Sequence, residues 1–111
     1  MTEYTITVPQ GVGYKVADHL YKLCDLAGGS TLVIGCGSWL APDGQRINET
    51  VGQHTHIIDE HSPNGQLFVC ALNKLVAAMH EQGEHTVLVR RLSGRGLVHF
   101  FLTKDQEVPL R

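Results

Sequence analysis

Residues 54–61, HTHIIDEH, hold three histidines, an aspartate and a glutamate within eight positions. His54 and His56 are two residues apart, so on a β-strand both rings would project from one face, as metal ligands on strands do. His61 could supply a third ligand after the strand ends. No fourth ligand or supporting partner is evident, and polar histidines on a half-exposed strand are the commoner arrangement. We therefore predict no metal and no other cofactor, with His54, His56 and His61 as the alternative metal set.

A catalytic use of these histidines would require a neighbouring carboxylate for proton transfer near neutral pH. Glu49 is the obvious partner, but strand alternation places Glu49 on the opposite face from His54. The sequence also lacks the nucleophile-elbow, zinc-protease and phosphate-loop motifs. We therefore favour a non-enzymatic protein. The alternative is a small dimeric α+β barrel-type enzyme with His54 or His56 as an acid–base or metal residue.

A third candidate is RRLSGRG, residues 90–96, where three arginines flank a glycine turn whose backbone N–H groups could hold an anion. Arg90 and Arg91 point to opposite faces of a strand, so they form no common patch. Arg91 and Arg95 are the predicted contacts for a small phosphorylated ligand. The net charge is −2 and few aromatic residues could stack on bases, so neither nucleic acid nor a membrane is an expected partner.

The spacing of apolar residues predicts the elements that position these groups. Strands are predicted at residues 4–8, 30–40, 45–59, 85–92 and 97–102. Helices are predicted over residues 16–27, ending at Gly28, and from Ser62 to Gly83. This order indicates an α+β, ferredoxin-like β-α-β-β-α-β sandwich with an extra C-terminal strand and two helices on one face of an antiparallel sheet. Residues 1–103 would form a single domain, and residues 104–111 a polar tail.

Two helices cover only one face of such a sheet, which leaves an open face for function. If residues 41–44, APDG, connect strands two and three, Leu40 pairs with Gln45 and Gly37 lies opposite Asn48. This register predicts that the open face carries Gly35, Gly37, Trp39, Asn48, Thr50, Gly52, His54 and His56. Glycines in strands often mark the close approach of a ligand or another chain, which favours a binding surface. A bulge at Gly37 or Gly52 would reverse the assignment beyond it.

Residues 28–50, GGSTLVIGCGSWLAPDGQRINET, resemble a pattern of small bacterial and phage domains of unknown function. The pattern is GG-x-T, G-x-W, a turn with glycine, then glutamate, and it matches Gly28, Gly29, Thr31, Gly37, Trp39, Gly44 and Glu49. The resemblance implies a ferredoxin-like sandwich and no established activity. The chain is also similar in size to accessory proteins of phages and mobile elements, which often neutralise a host protein or a signalling nucleotide.

The combined prediction is a non-enzymatic, cytoplasmic binding module, possessing a homo-oligomer interface on its open sheet face. A host protein or a small nucleotide-like ligand would be the partner. The predicted contacts are Gly35, Gly37, Trp39, Asn48, Thr50, His54, His56, Arg91 and Arg95. The three cysteines lack CxxC spacing, and the sequence shows no apolar run or leader of membrane-targeting type. These features agree with a reducing compartment. Titration of His54 and His56 near pH 6.5 should then alter binding or assembly.

Overall fold

The computed structural model describes residues 1–110, so Arg111, the last residue of the predicted tail, lies outside the described residues. The elements in chain order are β1 (Thr2–Pro9), α1 (Gln10–Gly13), a 3-10 turn (Tyr14–Val16), α2 (Ala17–Ala27), β2 (Thr31–Leu40), β3 (Arg46–Ile58), α3 (Pro63–Glu81), β4 (Val87–Ser93) and β5 (Gly96–Leu102).

The five strands form one antiparallel sheet in the order β2-β3-β1-β4-β5. The two long helices, α2 and α3, pack together on one face of this sheet. This arrangement confirms the predicted ferredoxin-like α+β sandwich, with β5 added beside β4. No helix among residues 1–110 is long and apolar enough to cross a membrane.

The core lies between the central strand β1 and the two long helices. Tyr4, Ile6 and Val8 are each 1% exposed, because the alternation of β1 directs all three toward the helices. Leu23 of α2 and Phe68 of α3 are fully buried against them. Burial of one such side chain contributes about 1.5–3 kcal/mol, so this layer holds the sheet and helices together.

The ends of both long helices follow local sequence signals. Gly28 ends α2 in the left-handed conformation, with φ of 76°. Ser62 caps α3: the Gly65 N–H donates to the Ser62 side-chain oxygen over 3.0 Å. Further along the chain, Val108 is buried, and its backbone is held by two hydrogen bonds to the Asn73 side chain, of 2.8 and 2.9 Å. The segment after β5 thus packs along α3.

The loop between β2 and β3 differs from the predicted one. The Gly44 N–H donates to the Ala41 carbonyl over 2.9 Å, and the Ala41 N–H donates to the Gln45 carbonyl over 2.8 Å. Gly44 has a φ of 86°, which a glycine adopts without steric cost. Together these features form a type I turn followed by a left-handed glycine, in which the loop proper is only residues 42–44. Leu40 consequently pairs with Arg46, rather than with Gln45.

This one-residue shift in register exchanges the two faces of β3. Side chains of a strand alternate between faces, so a change of one residue in register moves every side chain of β3 to the other face. His54 pairs with Ile6 and His56 with Tyr4, both of which point into the core. The predicted open-face assignment is therefore wrong for Asn48, Thr50, Gly52, His54 and His56, which all face the helix side.

Strand β2 extends beyond the area that the helices cover. Leu32 and Ile34, on the helix side, are 51% and 64% exposed, and Val33, on the open face, is 56% exposed. Apolar side chains exposed on both faces of an edge strand are unusual for an isolated domain. The β2–β3 hairpin is therefore a surface suited to contact with a ligand or another chain.

We predict that Gly65→Ala destabilises the protein by about 2–3 kcal/mol because the new methyl group would collide with backbone. A Cβ at Gly65 would lie 2.7 Å from the Glu60 Cα and even closer to the Asp59 carbonyl oxygen. Urea unfolding measures the change. Gly11→Ala is the control, since a Cβ there meets nothing within 4 Å. Equal stability of the two variants would show that the turn before α3 can relax.

Candidate functional site

The open face of the β2–β3 hairpin holds a tryptophan that lies against a glycine. Gly35, Gly37 and Trp39 point to this face. A Cβ on Gly37 would lie 2.8 Å from Cη2 of the Trp39 ring, so the ring occupies the space of the missing side chain. A Cβ on Gly35 would meet nothing within 4 Å. The hairpin thus presents an aromatic ring beside an open patch of backbone, with Trp39 still 40% exposed.

The observed register adds Glu49 to this group. Glu49 pairs with Gly37, on the same face, and is half-buried. The predicted register places Asn48 opposite Gly37, and for this reason it does not identify Glu49 as a neighbour of Trp39. The signal that could have found it is the PDG loop, because proline and aspartate followed by glycine suit a type I turn with a left-handed third residue. We call Gly35, Gly37, Trp39 and Glu49 the hairpin platform.

A second carboxylate comes from a distant part of the chain. Burial raises the pKa of Glu84, in the loop between α3 and β4, and the charge of Glu49 raises it further; His85 and His80 act in the opposite direction. The charge of Glu49 thus acts on Glu84, which relates the loop before β4 to the hairpin platform.

His54 lies on the other side of the hairpin, at a groove of about 190 Å³. The walls of this groove are mainly apolar. Among the described residues, His54 is the one titratable side chain that lines it. The lining includes Gln10, Leu20, Leu32, Ile34, Thr50 and His54. A Cβ at Gly52 would lie 3.1 Å from the His54 Nε2, so this glycine makes room for the ring. Burial lowers the pKa of His54.

His56 is a core residue. It is 2% exposed, and its ring centre lies 5.3 Å from that of Phe68. Burial, followed by the nearby His54, lowers the pKa of His56 to about 4. The imidazole is therefore neutral at physiological pH, and the titration expected near pH 6.5 is displaced to lower pH in the folded protein.

The other predicted contacts are dispersed. Asn48 and Thr50 are exposed on the helix side of the hairpin, and His61 is exposed in the turn before α3. Arg91 is buried on the helix face, whereas Arg95 is exposed in the turn between β4 and β5. Within residues 1–110, no three histidine, cysteine, aspartate or glutamate side chains are grouped so that they could hold a metal ion.

A larger cavity, of about 410 Å³, lies between α3 and the segment that follows β5. It is lined mainly by polar and charged side chains: Asn73, His80, Glu81, Lys104, Asp105, Gln106 and Glu107. This cavity shares no residue with the hairpin platform.

Comparison with known proteins gives two similar structures. No protein-family model and no curated protein matches the chain. A phage SAM (S-adenosylmethionine) lyase in complex with S-methyl-5′-thioadenosine is 16% identical, with a TM-score of 0.64, over 96% of this chain and 92% of that one. A phage SAM lyase in the apo state is 18% identical, with a TM-score of 0.62 and the same coverage of both chains. At these identities the likeness establishes a shared fold.

Both similar structures are those of an enzyme, and this finding contradicts the sequence-based prediction of a non-enzymatic binding protein. The prediction failed because it relied on catalytic motifs that are contiguous in sequence. The alternative, a small α+β enzyme, agrees better with the comparison.

We predict that His56 makes the protein less stable in acid. In the unfolded chain its pKa is about 6.5, whereas in the folded protein it is about 4. Between these values the unfolded state binds more protons, so the free energy of unfolding falls as pH decreases from 6.5 to 4. The loss attributable to His56 is up to about 3 kcal/mol.

Urea unfolding of the wild type and of His56→Phe at several pH values measures this effect. As the pH falls, the free energy of unfolding of the wild type should decrease relative to that of His56→Phe. His61→Phe, at an exposed histidine, controls for the loss of an imidazole. A constant difference between the wild type and His56→Phe over this range would contradict the lowered pKa.

Proposed function

We propose that this protein is a lyase that splits S-adenosylmethionine and releases S-methyl-5′-thioadenosine. The observation that carries the proposal is the fold that it shares, over 96% of its length, with the phage SAM lyase. A shared fold alone does not specify chemistry, so the proposal also rests on whether the exposed hairpin can bind such a substrate.

The reaction makes limited demands on the protein. The substrate carries a sulfonium, and breaking the bond from sulfur to the four-carbon amino-acid fragment leaves both bonding electrons on sulfur, as a neutral thioether. As this bond breaks, the fragment either loses a proton from the neighbouring carbon to a base, which leaves a carbon–carbon double bond, or closes to a lactone because its own carboxylate oxygen bonds to the carbon that the sulfur leaves. Neither route consumes water. The site must therefore bind a cation, hold the fragment in one conformation and limit access of water.

The hairpin platform meets the first of these demands. The exposed Trp39 ring provides a flat surface on which an adenine can stack or a sulfonium can make a cation–π contact. Glu49 lies beside this ring and can bind either positive charge of the substrate, the sulfonium or the α-ammonium, or accept a proton. The open space above Gly35 allows the ligand to approach the backbone.

Because the site has to limit the access of water, we infer that a second copy of the chain completes it. The hairpin platform is open to solvent, whereas enzyme pockets bury most of the surface of a small ligand. The apolar side chains on the same face of the sheet include Val33, Ile57, Leu92, Leu97 and Phe101, each more than 45% exposed. A homo-oligomer that buries this face would cover the hairpin platform at the same time.

The proposed location is the cytoplasm. Cys24, Cys36 and Cys70 are all free thiols, which suits a reducing compartment.

We predict that the purified protein converts S-adenosylmethionine to S-methyl-5′-thioadenosine, and that Glu49→Gln lowers kcat/KM by about 100-fold because it removes the negative charge beside Trp39. Chromatography follows the thioadenosine, and NMR of the four-carbon product distinguishes proton loss from ring closure. Glu3→Gln, at a half-buried carboxylate farther along the open face, is the matched control.

Two results would contradict this assignment. Absence of the thioadenosine product would exclude the proposed reaction. Loss of activity in His54→Asn, with Glu49→Gln unaffected, would move the site to the helix-side groove.

We predict that light scattering at micromolar concentration reports a mass at least twice the 12.2 kDa of one chain. Val33→Glu should dissociate the assembly, because it introduces a charge into the apolar open face, while the circular dichroism spectrum is retained. Lys22→Glu, on the exposed side of α2, should leave the mass unchanged. A monomeric wild type would exclude the proposed assembly.

A further inference from the structure

Arg91 carries a charge in a buried position. Its side chain is 7% exposed, on the helix face of β4. Two of its guanidinium nitrogens, Nε and Nη1, are enclosed and have no hydrogen-bond partner within residues 1–110. Arginine cannot escape this situation by losing its proton, because the guanidinium stays charged at all physiological pH values. The charge therefore has to be compensated in place.

Residues 1–110 supply only part of that compensation. The guanidinium lies over the Phe100 ring, with its central carbon 5.0 Å from the ring centre. Tyr4 and Val98 are its neighbours across the sheet. A cation–π contact stabilises the charge but leaves the N–H donors unused. Nε and Nη1 have no acceptor among the described residues, and a buried charge that is not paired is costly.

The neighbouring arginines lack this combination. Arg90 points to the open face, where its Nη2 donates to the Thr5 hydroxyl over 3.4 Å. Arg95 is exposed to water in the turn between β4 and β5. Arg91 is thus distinguished from both by being buried with unused donors.

We propose that Arg91 binds a small oxyanion, a carboxylate or phosphate group, on the helix side of β4 and β5. The planar guanidinium matches the geometry of both groups and pairs with them through two parallel hydrogen bonds. Both hydrogen-bonding edges of a guanidinium include Nη2, which is not among its enclosed unpartnered nitrogens. The enclosure of the other two favours a compact group over a polymer. This site is independent of the proposed lyase reaction.

Thermal unfolding of the full chain, with either inorganic phosphate or formate added at constant ionic strength, tests the proposal. The wild type should be stabilised in a saturable manner by at least one of the two anions. A response to phosphate alone identifies a phosphate site, a response to formate alone a carboxylate site, and a response to both the shared chemistry. Absence of any saturable response in the wild type would overturn the proposal, because water alone would then satisfy Arg91.

Two variants assign the response to this side chain. Arg91→Met should weaken anion affinity at least tenfold, and the variant without anion should be as stable as the wild type or more so, since an unpaired buried charge has been removed. Arg95→Met is the matched control and should retain the wild-type affinity. If Arg91→Met does not fold, Arg91→Lys keeps the charge without the planar fork and should still bind several-fold more weakly. Unchanged anion affinity in either folded Arg91 variant would refute the site.

Discussion

The left-handed conformation of Gly44 is the constraint on which the sheet alignment depends. It closes the loop of residues 42–44, pairs Leu40 with Arg46, and so determines which face of β3 meets the core. Because β3 also pairs with β1, the same alignment places His54 beside Ile6 and His56 beside Tyr4. A slip of one residue would remove these contacts together, and would also separate Glu49 from Gly37.

The hairpin combines features that would be liabilities in an isolated domain. Its edge strand exposes apolar residues on both faces, and Gly35 and Gly37 weaken its intrinsic preference for strand structure. The same features allow the Trp39 ring to occupy the space above Gly37 and leave open backbone at Gly35. Such departures from a stable surface are expected where a ligand or a second chain completes the structure.

Among the described residues, two buried basic side chains on the helix face respond differently to burial. His56 loses its charge, because desolvation lowers its pKa to about 4, and it then packs against Phe68 as a neutral ring. Arg91 has no comparable response, since its guanidinium cannot deprotonate under these conditions. His56 therefore makes the free energy of unfolding depend on pH, whereas the charge of Arg91 has to be compensated by neighbouring groups. Sequence position does not distinguish them, because both lie on strands next to β1.

The sequence by itself determined the elements and their order. Apolar spacing, Gly28 after α2 and Ser62 before α3 act over a few residues, so they could be recognised without the fold. The face of each β3 side chain was decided by the folded hairpin, because it depends on a single residue in the loop count, for which the PDG loop is the local signal. The fold also decided which distant groups influence each other: Glu49 and Glu84 are far apart in the chain, yet the charge of Glu49 raises the pKa of Glu84. The candidate site combines separate elements and leaves no contiguous motif, so its residues are brought together only in the folded chain.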